Sequence, residues 1–456
     1  MKGTNIDLRS FLSALKKDGQ LLTAKRQVST KFELACVVSK LDGKEAILFE
    51  KVEGSKISVA SNICGTPARF YRAISPGSLP AAGTSIKAAI HQRVGKALSD
   101  ISGQPKKTES AEFYQNSSTN LNELPIVTHF EKDAGPFITA SIVFAKDQER
   151  GNQNLSTHRL LLLDDRRMAI RMVEGRHLHK CFTAAKDHGE DLKVAIAIGV
   201  HPAVSIAAAY QAAYGLDEML IANSLLDGKL SLAKAKYSGL YVPDHAEIIL
   251  EGRILKDVTQ EEWMVEMLRT YDHKRKQPVF ELEKIHFRNN AIYHDILPGY
   301  AEHRLLMGIP VEAKMYDQVK SVVASTQAVH LTDGGSNWLA AVIQIKKKLE
   351  GEPKNALLAA FAAHPSLKMA TVVDDDIDPT DPVAVEYAIT SRCQADRGFI
   401  IIPNAKGSSL DPSSDQTNLL TTKVGIDATA TILKPKERFE IAKIPGQEKV
   451  QLGDYV

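Results

Sequence analysis

The chain has 456 residues, 57 Lys and Arg against 55 Asp and Glu for a formal net charge of +2, and 44% apolar residues. That length exceeds what a single core usually holds, so two or three domains are expected. Near-neutral charge without a basic stripe or tail argues against nucleic acid and membrane as partners, and four cysteines without short pair spacing (Cys36, Cys64, Cys181, Cys393) argue against a disulfide framework or a cysteine zinc site and suit a reduced, cytoplasmic protein.

In chain order, apolar residues at helical spacing in DLRSFLSALKK predict a helix, and the charges around it interrupt any signal-peptide core. AILFEKV and KISVASNI predict strands, so residues 1–115 read as a small α/β domain. The polar stretch GQPKKTESAEFYQNSSTN reads as a linker. Strand signals dominate residues 121–300: FITASIVFAKD, then HRLLLLDD and MAIRMV as a hairpin turning at Asp164-Asp165, then KVAIAIGV, AEIILEGRIL and PVFELEKIHF. Within this set SIAAAYQAAYGLDEMLIANSLL looks helical, and the most apolar run is broken by Gly199, His201 and Pro202, which predicts a buried strand and then a helix. Strand and helix signals alternate again over 310–430, predicting another α/β domain, and 431–456 form a tail.

Two polar sets stand out. GNQNLSTHRL places Asn154, Ser156, Thr157, His158 and Arg159 together at the start of the hairpin; with His177 and Glu218 it offers an amide oxygen, an imidazole and a carboxylate, a donor set for Mn²⁺ or Mg²⁺. Spacing alone equally allows a polar loop, a surface histidine and a charge in a helix's first turn. The second set is acidic: Glu247 and Glu251 on a strand, then Glu261, Glu262 and Glu266. Crowded carboxylates resist ionising together, so one can hold a proton and act as a general acid. The same residues also read as a solvated helix face with Glu262 and Glu266 at i,i+4 spacing.

LYVPDHAEIILEG, HDILPGYAEHRLLMGIPVEA, VVDDDIDPTDPVAVEYAITSRCQADRG and SSLDPSSDQTN with KVGIDAT follow one another toward the C-terminus. Together they resemble the UbiD family of decarboxylases. The resemblance implies an α/β (α+β) fold in which a central split β-barrel binds flavin and α/β domains flank it. It implies prenylated FMN and Mn²⁺ as cofactors, K⁺ as an optional further ion, a flavin prenyltransferase as cofactor supplier, and a homodimer or higher homo-oligomer. By position it makes Asn154, His177 and Glu218 metal ligands, and gathers Thr157, His158, Arg159, Arg171, Met172, Val173, Arg176 and His177 around the cofactor. Arg159 would face the substrate carboxylate.

One stretch departs from the family: EEWMVE stands where members commonly carry Glu-Gly-Pro-Phe-Gly-Glu or Glu-Gly-Pro-Phe-Val-Asp. Anchoring on TYD and RKQPV places the two acids at Glu261 and Glu266, with Glu266 the proton donor and Glu261 tuning it and Arg159; a slip by one pairs Glu262 with Met267. The implied reaction is reversible, non-oxidative decarboxylation of an α,β-unsaturated acid. TYDHKRKQPV, NAKGSSLDPSSD and KVGIDAT look most like archaeal members, which points to trans-anhydromevalonate 5-phosphate giving isopentenyl phosphate, with His158, Arg269 and Lys274 as candidates for the substrate phosphate. The alternatives are an aromatic acid of the 4-hydroxybenzoate kind, on which Trp263 would stack, and a metal-only or non-catalytic relative.

Overall fold

The computed structural model describes residues 6–455 except 76–79, 81–84, 102, 211, 213 and 443. The chain forms two compact units: Met1–Ala313 with Asp333–Trp338 and Leu410–Ser413, and Lys314–Thr332 with Leu339–Ser409 and Ser414–Val456.

A six-stranded antiparallel barrel organises the first unit. Its strands run in the order Ile248–Glu262, Leu192–Ile198, Phe137–Lys146, Gln153–Leu162, Arg167–Ile170 and Arg275–Phe287, and the last pairs with the first. The apolar residues predicted on these strands line its interior: Val194, Ile196, Ile198, Ile248, Leu250, Ile254 and Phe280 are fully buried. Closure leaves no exposed edge, and each strand is fixed in register from both sides. The hairpin turns at Asp164-Asp165 as expected, with the backbone N–H groups of Arg166 and Arg167 donating to Asp164 Oδ1 at 2.9 and 2.8 Å.

The stretch read as a linker is woven into this unit. Lys106–Thr108 pairs with Ser231–Lys234, Asn116–Ser118 adds to the Arg275–Phe287 strand, and Phe113 between them is fully buried. Short strands held by backbone hydrogen bonds leave little trace in composition, so polarity misleads here. Residues 1–115 likewise do not complete their own sheet. Leu21–Ala24, Ala46–Phe49 and Ser58–Ser61 take a fourth strand, Ile292–Asp295, from beyond the barrel.

The N-terminal helix is Leu8–Lys17, capped by Asp7, whose Oδ1 accepts from Ser10 N at 2.8 Å; residues 1–5, which precede it, lie outside the described residues. The single helical run expected after Pro202 is two helices, Pro202–Ala209 and Glu218–Leu225. Gly215 at φ +96° turns the chain, and Asp217 starts the second helix by accepting from Met219 N at 2.9 Å. Gln211 and Ala213 of that run are outside the described residues.

The second unit carries a five-stranded sheet in the order Thr326–Leu331, Ala340–Ile345, Met369–Asp374, Leu420–Asp427, Phe399–Lys406, parallel at its centre and antiparallel at both edges. The helices Glu352–Ala363 and Pro382–Arg392 belong to it, and Val342, Val373, Val385 and Ala388 form part of its core. Among the described residues no helix is long and apolar enough to cross a membrane.

Barrel closure depends on Gly252, which sits at a register shift; a Cβ there would meet the Glu281 carbonyl oxygen at 2.1 Å and the Phe280 ring at 2.7 Å. Gly252→Ala is expected to destabilise the first unit by roughly 1–3 kcal/mol, read as a lower urea midpoint by circular dichroism; an unchanged midpoint would contradict this account of the closure.

Candidate active site

One strand serves two polar clusters. Along Gln153–Leu162, Asn154, Ser156 and His158 share a face: Ser156 Oγ donates to Asn154 Oδ1 at 3.4 Å and lies 2.8 Å from His158 Nε2. By the same alternation Arg159 belongs to the other face.

The first cluster is anionic. Asn154 Nδ2 donates to both Glu218 oxygens at 3.0 and 3.1 Å, and His177 Nδ1 stands 3.3 Å from both Asn154 Nδ2 and Glu218 Oε1. His177 and Glu218 each open a helix, His177–Asp187 and Glu218–Leu225, so the helix ends rather than sequence proximity bring the three residues together. Glu218 is almost fully buried and accepts from Leu155 N at 2.9 Å, yet no lysine or arginine pairs with it among the described residues. A buried carboxylate without a permanent cation, beside an amide and an imidazole, is a donor set that fits a hard divalent ion. Beside it, Tyr214 meets the His177 ring edge-on at 5.1 Å and donates to Asp147 Oδ2 at 2.6 Å; Lys180 Nζ and the Arg150 guanidinium lie over the tyrosine ring at 4.2 and 4.8 Å.

The second cluster surrounds Arg159. Glu262 grips it with two oxygens, accepting from Nε at 3.0 Å and Nη2 at 2.8 Å; Asp272 accepts from Nη2 at 3.2 Å; and Glu266 pairs with Nη1. Burial opposes the guanidinium's charge, but Glu266, Glu262 and Asp272 outweigh it and raise its pKa. Arg275 and Arg171 also approach Asp272, at 3.1 and 3.9 Å. Burial and the positive charges of Arg159 and Arg275 lower the pKa of Arg171.

The acids differ from both sequence alignments. Glu261 is exposed and stands opposite Lys276 in the ladder, whereas Glu262, opposite Arg275, is fully buried against Arg159. Neighbouring strand residues face opposite ways, so the last residue of Ile248–Glu262 points inward and the one before it outward. Glu266 is brought to Arg159, and Met267 packs in the interior. The pair at Arg159 is therefore Glu262 and Glu266, with Asp272 as an unforeseen third acid. Trp263 is held away from a stacking role: its Nε1 donates to Lys132 O at 2.7 Å and Lys274 Nζ packs over its ring at 4.2 Å.

Of the residues expected around a cofactor, Thr157, Val173 and Arg176 are exposed, while Met172 is buried and its N–H donates to Gln277 Oε1 at 2.8 Å. Arg171 N donates to Arg159 O at 3.0 Å, and Arg171 O lies 2.8 Å from His158 Nδ1, which ties the two strands of the hairpin at the site. No sequence signal marks His303. Gly299 N donates to its Nδ1 at 3.0 Å, so its other nitrogen carries the proton, and burial with the nearby positive charges of Arg159 and Arg304 pushes the imidazole down to about 4.

Comparison with known proteins agrees with this architecture. The family model described as the 3-octaprenyl-4-hydroxybenzoate carboxy-lyase Rift-related domain (UbiD) matches residues 102–301, and the C-terminal and N-terminal domain models of the same carboxy-lyase match 304–428 and 12–82. Anhydromevalonate phosphate decarboxylase of Methanothermobacter thermautotrophicus is 40% identical over 95% of this chain and 99% of its own; that of Methanocaldococcus jannaschii is 48% identical over 72% and 76%. Among solved structures, the UbiD-class enzyme HmfF of Pelotomaculum thermopropionicum in complex with FMN superposes with a TM-score of 0.93 at 37% identity, covering 99% of this chain and 100% of that one. An evolved dimeric form of HmfF with prFMN gives 0.90 at 34%, with the same coverage.

Burial also pushes His158 and His201 down to about 4, so with His303 three imidazoles stay neutral in the fold. The unfolded chain takes up these protons near the ordinary value of 6.5, the folded chain only near 4. This contribution to stability is therefore complete above about pH 6.5 and is lost as pH falls toward 4, on the order of 2 kcal/mol per imidazole. Urea unfolding at pH 7 and pH 5 should show the loss, and His201→Asn should make it shallower; an equal slope in the variant would refute the assignment.

Proposed function

The chain belongs to the UbiD family, and on that premise we propose that it is a prenylated-FMN-dependent decarboxylase whose substrate is trans-anhydromevalonate 5-phosphate and whose product is isopentenyl phosphate. The observation that carries the reading is Arg159, charged, clamped on two of its nitrogens by Glu262 and sharing Nη1 with the less buried Glu266. The printed names of the archaeal relatives support the substrate, and the HmfF complexes support the flavin.

When bound, prenylated FMN supplies the electron sink that holds the pair left behind as CO₂ departs. Arg159 orients the substrate carboxylate, and Glu262 keeps the guanidinium from turning. A substrate carboxylate at Nη1 and an ionised Glu266 repel one another, so a proton on Glu266 relieves the bound state and is then placed for delivery to the carbon that loses CO₂. Asn154, His177 and Glu218 would hold Mn²⁺, and Arg150 and Lys180 add positive charge where a flavin phosphate would pair with that ion. We assign the chain to a homodimer or higher homo-oligomer, which the dimeric form of HmfF supports and sedimentation velocity tests against a monomer.

Co-expression with a flavin prenyltransferase, followed by assay of CO₂ release, tests the reading. The phosphorylated acid should turn over; a 4-hydroxybenzoate-type acid at least about a hundredfold faster, roughly 2.7 kcal/mol of transition-state preference, would replace it. Glu266→Gln should keep flavin and lose turnover by about a hundredfold or more, Glu262→Gln by at least about tenfold, and Glu261→Gln by less than about twofold. Glu261→Gln as damaging as Glu262→Gln would reverse the assignment of the acids. Glu218→Gln should lower both Mn²⁺ and flavin content of the purified protein, measured by elemental analysis and the visible spectrum; full retention of both would remove the metal site.

A further inference from the structure

A substrate with a phosphate far from its reacting carboxylate needs a second anion-binding group. Of the three candidates in the sequence, two are committed elsewhere. His158 has both nitrogens engaged, at 2.8 Å from Ser156 Oγ and from Arg171 O, and Lys274 is packed on the anchored Trp263. Arg269 remains. Its guanidinium has no carboxylate or hydrogen-bond partner among the described residues, and it lies over the Tyr300 ring at 5.4 Å.

Its backbone is unusual. Arg269 adopts φ +61°, a left-handed conformation that costs a non-glycine residue about 1 kcal/mol. A tight turn enforces it: Arg269 N donates to Glu266 O at 2.8 Å and Glu266 N to Thr270 O at 2.9 Å. Gly299 presses on the turn so closely that a Cβ there would meet Arg269 Cγ at 2.5 Å and Glu266 O at 3.0 Å. Strain of this kind persists where surrounding structure over-determines it and marks positions worth a functional test. Here it fixes an unpaired cation three residues from Glu266, the acid paired with Arg159.

We propose that Arg269, oriented by Tyr300, selects substrates that carry a phosphate distal to the carboxylate held at Arg159. The inference rests on the decarboxylase reading above. One short turn then serves both ends of the substrate: Glu266 at the reacting carbon and Arg269 at the phosphate. The planar guanidinium matches two phosphate oxygens at once, and stacking on an aromatic ring limits the freedom it must lose on binding.

The test compares kcat/KM of the holoenzyme for trans-anhydromevalonate 5-phosphate with that for its dephosphorylated counterpart. Wild type should prefer the phosphorylated acid by about a hundredfold or more. Arg269→Gln should reduce that preference below about tenfold, chiefly through KM, and Arg269→Lys, which keeps the charge but not the fork, should fall between. Arg269→Gly accepts the left-handed backbone without strain, so it should fold at least as well as wild type and still lose the preference. A wild-type preference that survives in the Gln and Gly variants overturns the role of Arg269 and leaves the decarboxylase reading standing. Failure of wild type to decarboxylate the phosphorylated acid overturns both.

Discussion

Arg159 sits among three carboxylates with little access to water, and two of them, Glu262 and Glu266, have no other cationic partner among the described residues. Removing one member of such a buried set typically costs 3–5 kcal/mol, because a charge is left uncompensated. The cluster therefore demands that four chain segments arrive in fixed register: the Gln153–Leu162 strand for Arg159, the end of Ile248–Glu262 for Glu262, the turn for Glu266, and the approach to Arg275–Phe287 for Asp272. A closed barrel meets that demand, since a strand cannot slip by one residue without turning its whole apolar face outward. Asp272, shared by Arg159, Arg171 and Arg275, couples the hairpin to the closing pair of strands.

The two clusters are complementary. Glu218 is a buried negative charge met by the neutral donors Asn154 Nδ2 and Leu155 N, whereas around Arg159 the arginines and acids balance one another. On the proposed reading, such a division would suit a cofactor with an anionic phosphate at one end and an electron-accepting ring at the other. Strand alternation separates the clusters by only a few residues of sequence while turning them to different faces.

Rigidity and strain are also divided. The barrel interior is apolar and continuous, whereas the turn carrying Glu266 and Arg269 holds a left-handed non-glycine residue against Gly299. Such a turn draws its stability from the scaffold beneath it.

The sequence by itself determined the elements whose periodicity is strong and local. The N-terminal helix follows from its apolar spacing, the barrel strands from runs of Val, Ile and Leu, and the Asp164-Asp165 turn from its own side-chain acceptor. Asn154, His177 and Glu218 are legible in the sequence only through the family resemblance, because nothing in their spacing shows that two helix ends converge on one strand. Tertiary structure decided the rest. Lys106–Thr108 and Asn116–Ser118 became strands because partner edges offered hydrogen bonds that composition does not record. The choice between Glu261 and Glu262 rested on strand parity at the end of a bulged strand, which the alignment of short motifs cannot resolve and ladder pairing with Arg275–Phe287 does. Asp272, His303 and the strain at Arg269 depend on contacts between distant segments, and such contacts exist only once the barrel has closed.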